Sequence, residues 1–147
     1  MGEVRHRVLI ADDYEADRFF LKEAIRRHAP LLEVVAEVQD GTEVVSYLQG
    51  AGEYGDRDRF PFPELLIMDL RMPRMTGLEV LEWLKTQNFS GLKVAMLADS
   101  SFVKLKERAA NLGLQHFYSK VINTSELVEV VRKLQAELED GSSGRAD

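Results

Sequence analysis

"LLIMDLRMPRMTGLEVL" (residues 65–81) decides the fold. Its first four residues, Leu65, Leu66, Ile67 and Met68, show no alternation of apolar and polar side chains. A strand that is apolar on both faces belongs in a parallel sheet with helices on either side. Asp69 ends the run, and Pro73 lies in the turn after it. Leu78, Leu81 and Leu84, with Trp83 beside them, then recur at helical spacing. The stretch reads as strand, loop, helix.

The same unit recurs on both sides of it. Val8–Ala11 is a buried strand, and Phe20, Leu21, Ala24 and Ile25 fall on one face of a helix that ends before Pro30. "LEVVAEV" (32–38) is a strand with Glu33 and Glu37 where it is more exposed. Asp40-Gly41 turns the chain into a short helix striped by Val44, Val45 and Leu48. "VAMLA" (94–98) is followed by Phe102, Leu105, Ala109 and Leu112, and "HFYS" (116–119) by Leu127, Val131, Leu134 and Leu138. Asn123 or Thr124 caps that last helix, and Val128 and Val130 fall off its core stripe. Five strand–helix units predict an α/β fold, a doubly wound three-layer sandwich. No internal repeat is visible. Residues 50–64 form a longer connection than compact domains usually carry, either functional or mobile. The domain is expected over 1–139, with residues 140–147 a disordered polar tail.

The 147 residues suit one domain, whose core a 45% hydrophobic fraction can fill. A net charge of −6 with no basic block weighs against nucleic acid as a partner. The absence of cysteine excludes disulfides and thiolate metal sites. No apolar run approaches the roughly 18 residues that cross a bilayer, and "MGEVRHRV" (1–8) lacks a signal-peptide core. The expected location is cytoplasmic, with no membrane contact.

Ligands of open parallel sheets sit beyond the carboxyl ends of the strands. Asp12 and Asp13 end the first strand, Asp69 the third and Lys120 the fifth. If these ends are neighbours, three carboxylates and one ammonium converge. Two unit charges about 4 Å apart repel by about 4 kcal/mol at an effective dielectric near 20. A hard divalent cation removes that penalty, and oxygen-only ligation suits Mg²⁺. Lys120 adds a partner for phosphoryl oxygens, which a metal alone does not require. Asp69, alone at its strand end, is then the nucleophile that forms an acyl phosphate. Taken singly, Asp12 and Asp13 read equally as helix caps, Asp69 as a turn residue and Lys120 as solvated. The four together are far more specific. His6, His28 and His116 are scattered and read as structural or surface residues, and Met72, Met75 and Trp83 as packing.

"LIADDYEADR", "LLIMDLRMPRMTGLEVL" and "FYSK" resemble the receiver domains of bacterial two-component response regulators, over about residues 6–139. The long 50–64 connection is similar to that of small stand-alone receivers associated with phytochrome-type histidine kinases. The resemblance implies a flavodoxin-like sheet of order 2-1-3-4-5. It implies phosphoryl transfer from a kinase phosphohistidine to Asp69, with Mg²⁺ bound by Asp13, Asp69 and the Arg71 backbone carbonyl. Asp12 would assist through water, and Lys120 would pair with the phosphoryl oxygens. It makes the chain a signalling module rather than an enzyme, limited to self-phosphorylation from small donors and self-dephosphorylation. With no DNA-binding domain after residue 139, output is expected through protein contacts, including a homodimer formed by strands four and five and the last helix.

Two positions depart from the family pattern. Ala98 stands where the family has the switch hydroxyl, with Phe117 at its switching aromatic. Val121 replaces the proline that usually follows the lysine. Ser100 or Ser101 could substitute for the hydroxyl only if the backbone moved. These departures motivate an alternative, a receiver-like interaction protein that phosphorylation does not switch. Enzyme readings fit less well. Arg71 occupies the position where a haloacid-dehalogenase-type phosphatase needs a second acid, and "DDYEAD" (12–17) would repel the phosphate of a flavin nucleotide. A Gly-rich dinucleotide fingerprint is missing.

Overall fold

Successive side chains of a strand point to opposite sides of its sheet, and here both sides are filled. Leu65 and Ile67 of β3 (Leu65–Asp69) pack with Val8 and Ile10 of β1 (His6–Ala11) and with Ala95 and Leu97 of β4 (Lys93–Ala98). Leu66 and Met68 face the other way, among Leu9, Ala11 and Met96. The structure, a computed structural model, describes residues 4–98, 103–120 and 123–144. β2 (Leu32–Val38) and β5 (His116–Ser119) complete a five-stranded sheet of order β2-β1-β3-β4-β5, parallel in every pairing. This is the flavodoxin-like sandwich expected from the sequence.

α1 (Glu15–His28) and α5 (Thr124–Gly144) cover the first side through Leu21, Ala24 and Ile25 and through Val131, Leu134 and Leu138. α2 (Gly41–Gln49), α3 (Gly77–Leu84) and α4 (Val103–Asn111) cover the second. The turns leading into these helices are chemically marked. The Asp40 carboxylate accepts the Glu43 amide ahead of α2, and Asn123 Oδ1 accepts the Glu126 amide ahead of α5. Thr76 and Glu79 form a reciprocal capping box on α3. Each such cap stabilises its helix by about 1 kcal/mol.

Three details differ from the sequence reading. Phe20, expected on the core face of α1, is 60% exposed, because the buried stripe of that helix is the narrow one of Leu21, Ala24 and Ile25. Val130, expected off the stripe of α5, is buried beside Val131. The α5 contact with the sheet is therefore two residues wide at that turn, while Val128 is half-buried. α5 also runs on to Gly144, beyond the boundary expected at residue 139.

The 50–64 connection has a packed interior. A 3-10 turn at Gly52–Gly55 brings Tyr54, with Phe60 and Phe62 after it, against the core. The Tyr47 hydroxyl donates to Pro61 O at 2.8 Å, and the Arg57 guanidinium donates to Leu48 O and Phe60 O. Ser100, Ser101, Phe102 and Val121 lie outside the described residues. No helix of the described residues is long and apolar enough to cross a membrane.

Candidate functional site

Strand register brings the four site residues together. Ala11 of β1 pairs with Met68 of β3, so Asp12 and Asp69 occupy the next step on adjacent strands. Ala98 pairs with Ser119, and the Lys120 amide donates to Ala98 O at 2.7 Å. Lys120 thus leaves β5 level with the end of β4, and its side chain reaches β3. Its Nζ lies 2.6 Å from Asp69 Oδ2, 3.0 Å from Asp12 Oδ2 and 2.9 Å from Asp17 Oδ2. One carboxylate oxygen from each of Asp12, Asp13 and Asp69 falls within a group no wider than 4.8 Å.

Burial pushes the Asp12 carboxyl up, and the Tyr14 amide and Lys120 only partly counter it. Burial raises Asp69 in the same way, against hydrogen bonds from Lys120 and the Arg71 amide. For Lys120 burial acts downward, but the hydrogen bonds to Asp69, Asp17 and Asp12 outweigh it and hold the ammonium above its usual range. One ammonium therefore serves a cluster with an excess of negative charge. The donors are all hard oxygens, which fits a hard divalent cation such as Mg²⁺ and no soft metal.

The loop after β3 shapes the other wall. Asp13, Asp69, Arg71, Met72 and Thr76 line an open cleft of about 690 Å³. The Gly77 amide donates to Leu70 O, the Gly41 amide to Met75 O, and Arg74 Nη1 lies 3.2 Å from Asp40 Oδ2. Arg74 has φ 67°, and its guanidinium pairs with Asp40, the cap residue of α2.

The remaining predicted positions take other places. Ala98 is buried at the end of β4 and offers no hydroxyl. Phe117 is half-buried against the α2–α4 side of the core, with the Lys106 ammonium 5.7 Å from its ring centroid. His6 is buried against Glu64, and His28 and His116 lie on α1 and β5 outside the acidic cluster. Met72 is in the core, and Met75 and Trp83 pack against it. Sequence reasoning missed Asp17 and Tyr14, whose ring centroid lies 5.4 Å from Lys120 Nζ. The available signal was Asp17 one helical turn after Asp13. It also missed the Thr76 cap, which "TGLE" (76–79) spells as a capping box.

A family model described as response regulator receiver domain matches residues 8–132. The chain belongs to this family. The receiver is 29% identical to the transcriptional regulatory protein GlnL of Bacillus subtilis over 133 residues, 90% of this chain but 38% of that protein. It therefore spans well under half the length of that relative. It is 25% identical to the response regulator Rcp1 of a Synechocystis species over 88% of this chain and 86% of Rcp1. Among solved structures it resembles the phosphorylated cyanobacterial phytochrome response regulator RcpA, with TM-score 0.80 and 26% identity. That match covers 92% of this chain and 95% of RcpA.

Proposed function

We propose that this receiver accepts a phosphoryl group on Asp69 from the phosphohistidine of a histidine kinase and passes the signal on through protein contacts. The observation that carries the reading is the Lys120 ammonium 2.6 Å from Asp69 Oδ2, inside a trio of clustered carboxylates. Asp12, Asp13, Asp69 and the Arg71 backbone carbonyl would hold Mg²⁺. Bound there, the ion supplies charge neutralisation for phosphoryl oxygens that the acids alone would repel. An Asp69 oxygen attacks the phosphorus as the P–N bond to imidazole breaks, which leaves an acyl phosphate on Asp69 and a free imidazole. Lys120 pairs with an oxygen of the transferred group, and Asp12 and Asp13 orient the site beside it.

Access favours a protein donor. A groove between α1 and α5, walled by Phe19, Phe20, Leu127 and Val128, opens onto Asp12 and Lys120. Exposed aromatic surface of this kind suits a protein partner. The likeness to RcpA, a phytochrome response regulator, supports a phytochrome-type kinase in that role. The cytoplasm is the compartment in which such a donor would be met. Output runs through β4, β5 and α5, and a second copy docking there gives a homodimer. A monomer in sedimentation at high concentration, with and without a phosphoryl mimic, would remove that dimer.

Ala98 bears on the strength of the switch. A hydrogen bond to a charged group is worth about 1.5–3 kcal/mol, which is the size of differential contact a conformational change requires. Without it, acceptance on Asp69 is coupled only weakly to α4.

The test is intact mass after incubation with Mg²⁺ and acetyl phosphate. One added phosphate is expected on the wild type, with none on Asp69→Asn or in excess chelator. No addition, or equal addition to Asp69→Asn, overturns the reading.

A further inference from the structure

We infer that Asp17 is a positioning residue for Lys120, whose carboxylate holds the ammonium over the end of β3, where it meets the phosphoryl group on Asp69. The inference rests on the phosphoryl acceptance proposed above.

Lys120 must reach from the end of β5 past β4 to Asp69 on β3. A lysine stem is flexible and carries substantial rotamer entropy, so an ammonium that must sit at one point benefits from anchors. Among the described residues its ion pairs are to Asp12, Asp69 and Asp17. Asp12 and Asp69 belong to the trio of oxygens clustered for a cation, and Asp17 does not. When a cation draws on the trio, Asp17 is the anchor left for the ammonium among the described residues. Tyr14 closes the same side, its ring centroid 5.4 Å from Nζ. Ala98, at the end of the strand that Lys120 crosses, supplies no side-chain partner. Asp17 thus fixes Lys120 from α1 where the neighbouring strand cannot.

The bland alternative is a first-turn acid that only complements the helix dipole. Glu15 shares that turn and charge and is not among the acids that pair with Lys120, so Glu15→Gln is the control. The probe is beryllofluoride with Mg²⁺, followed on the full chain by ¹⁹F NMR. Because the Asp17–Lys120 pair is partly exposed, Asp17→Ala is expected to weaken beryllofluoride binding by about fivefold. Asp17→Glu, which keeps the charge within reach, and Glu15→Gln should each stay within about twofold of wild type. Equal weakening by Glu15→Gln, or an Asp17→Ala affinity within that same range, overturns the inference while leaving Asp69 as acceptor. A wild type that takes up no beryllofluoride overturns both.

Discussion

A Cβ placed on Gly77 would stand 2.5 Å from the Asp69 carbonyl oxygen. The first turn of α3 therefore rests directly on the backbone that presents the proposed acceptor, with room between them for hydrogen alone. Gly77→Ala must push one element away, because the obstructing atom is backbone rather than a flexible side-chain tip. We expect a stability loss of about 2 kcal/mol in urea denaturation, together with weaker Mg²⁺ binding in calorimetry. An alanine variant with wild-type values for both would show that α3 does not brace Asp69.

Lys120 balances a cluster of acids, two of them buried. Lys120→Met leaves Asp12 and Asp69 without their cation, and stripping one partner from a buried ion pair costs about 3 kcal/mol. The variant should melt earlier than wild type in chelator and recover much of the difference in Mg²⁺, since a ligand bound to the native state stabilises it. Calorimetry should also find tighter Mg²⁺ binding, because the competing ammonium is gone. Weaker binding would mean that Lys120 organises the cation site instead of competing with it.

Tyr47 is fully buried and burial pushes its phenol up to about 12. The folded chain therefore keeps this proton at a pH where the unfolded chain, with an ordinary tyrosine near 10, has lost it. A raised folded value contributes stability that is complete below about pH 10 and fades as pH climbs from there towards about 12. Urea melts across that range should show falling stability, and Tyr47→Phe should flatten the decline. At neutral pH the same variant should cost about 1 kcal/mol through loss of the bond to Pro61 O. An unchanged alkaline slope would remove Tyr47 as its source.

Ala98 makes a prediction about coupling. Ala98→Thr places a hydroxyl at the end of β4, where it could donate to a phosphoryl group on Asp69. With beryllofluoride bound, amide exchange along residues 103–112 should change more in the threonine variant than in the wild type. A wild type that responds as strongly as the variant would show a switch that does not depend on this hydroxyl.

Much of this arrangement was legible because parallel strands buried on both faces leave apolar runs without alternation. β2 and β5 coincide with "LEVVAEV" and "HFYS" residue for residue. Asp12, Asp69 and Lys120 were legible because strand ends in such a sheet gather at one edge. Asp17 was not, since an acid in a first helical turn looks the same whether it serves the helix dipole or a lysine from another strand. Phe20 and Val130 misled for a related reason. The width of a helix's buried stripe depends on the neighbour it meets, and periodicity does not carry that neighbour. The fate of 50–64 was equally hidden, because Tyr47 and Arg57 tie it down from α2 and from within the loop through contacts that no local pattern announces.

The central claim is that Asp69 becomes an acyl phosphate with help from a divalent cation. Its most direct test is incubation with acetyl phosphate, reduction with borohydride and peptide sequencing by mass spectrometry, since an aspartyl phosphate is reduced to homoserine. Homoserine at position 69 in Mg²⁺, and unmodified aspartate there in chelator, is the predicted result. Aspartate retained at 69 in Mg²⁺, or homoserine at Asp12 or Asp13 instead, would contradict it.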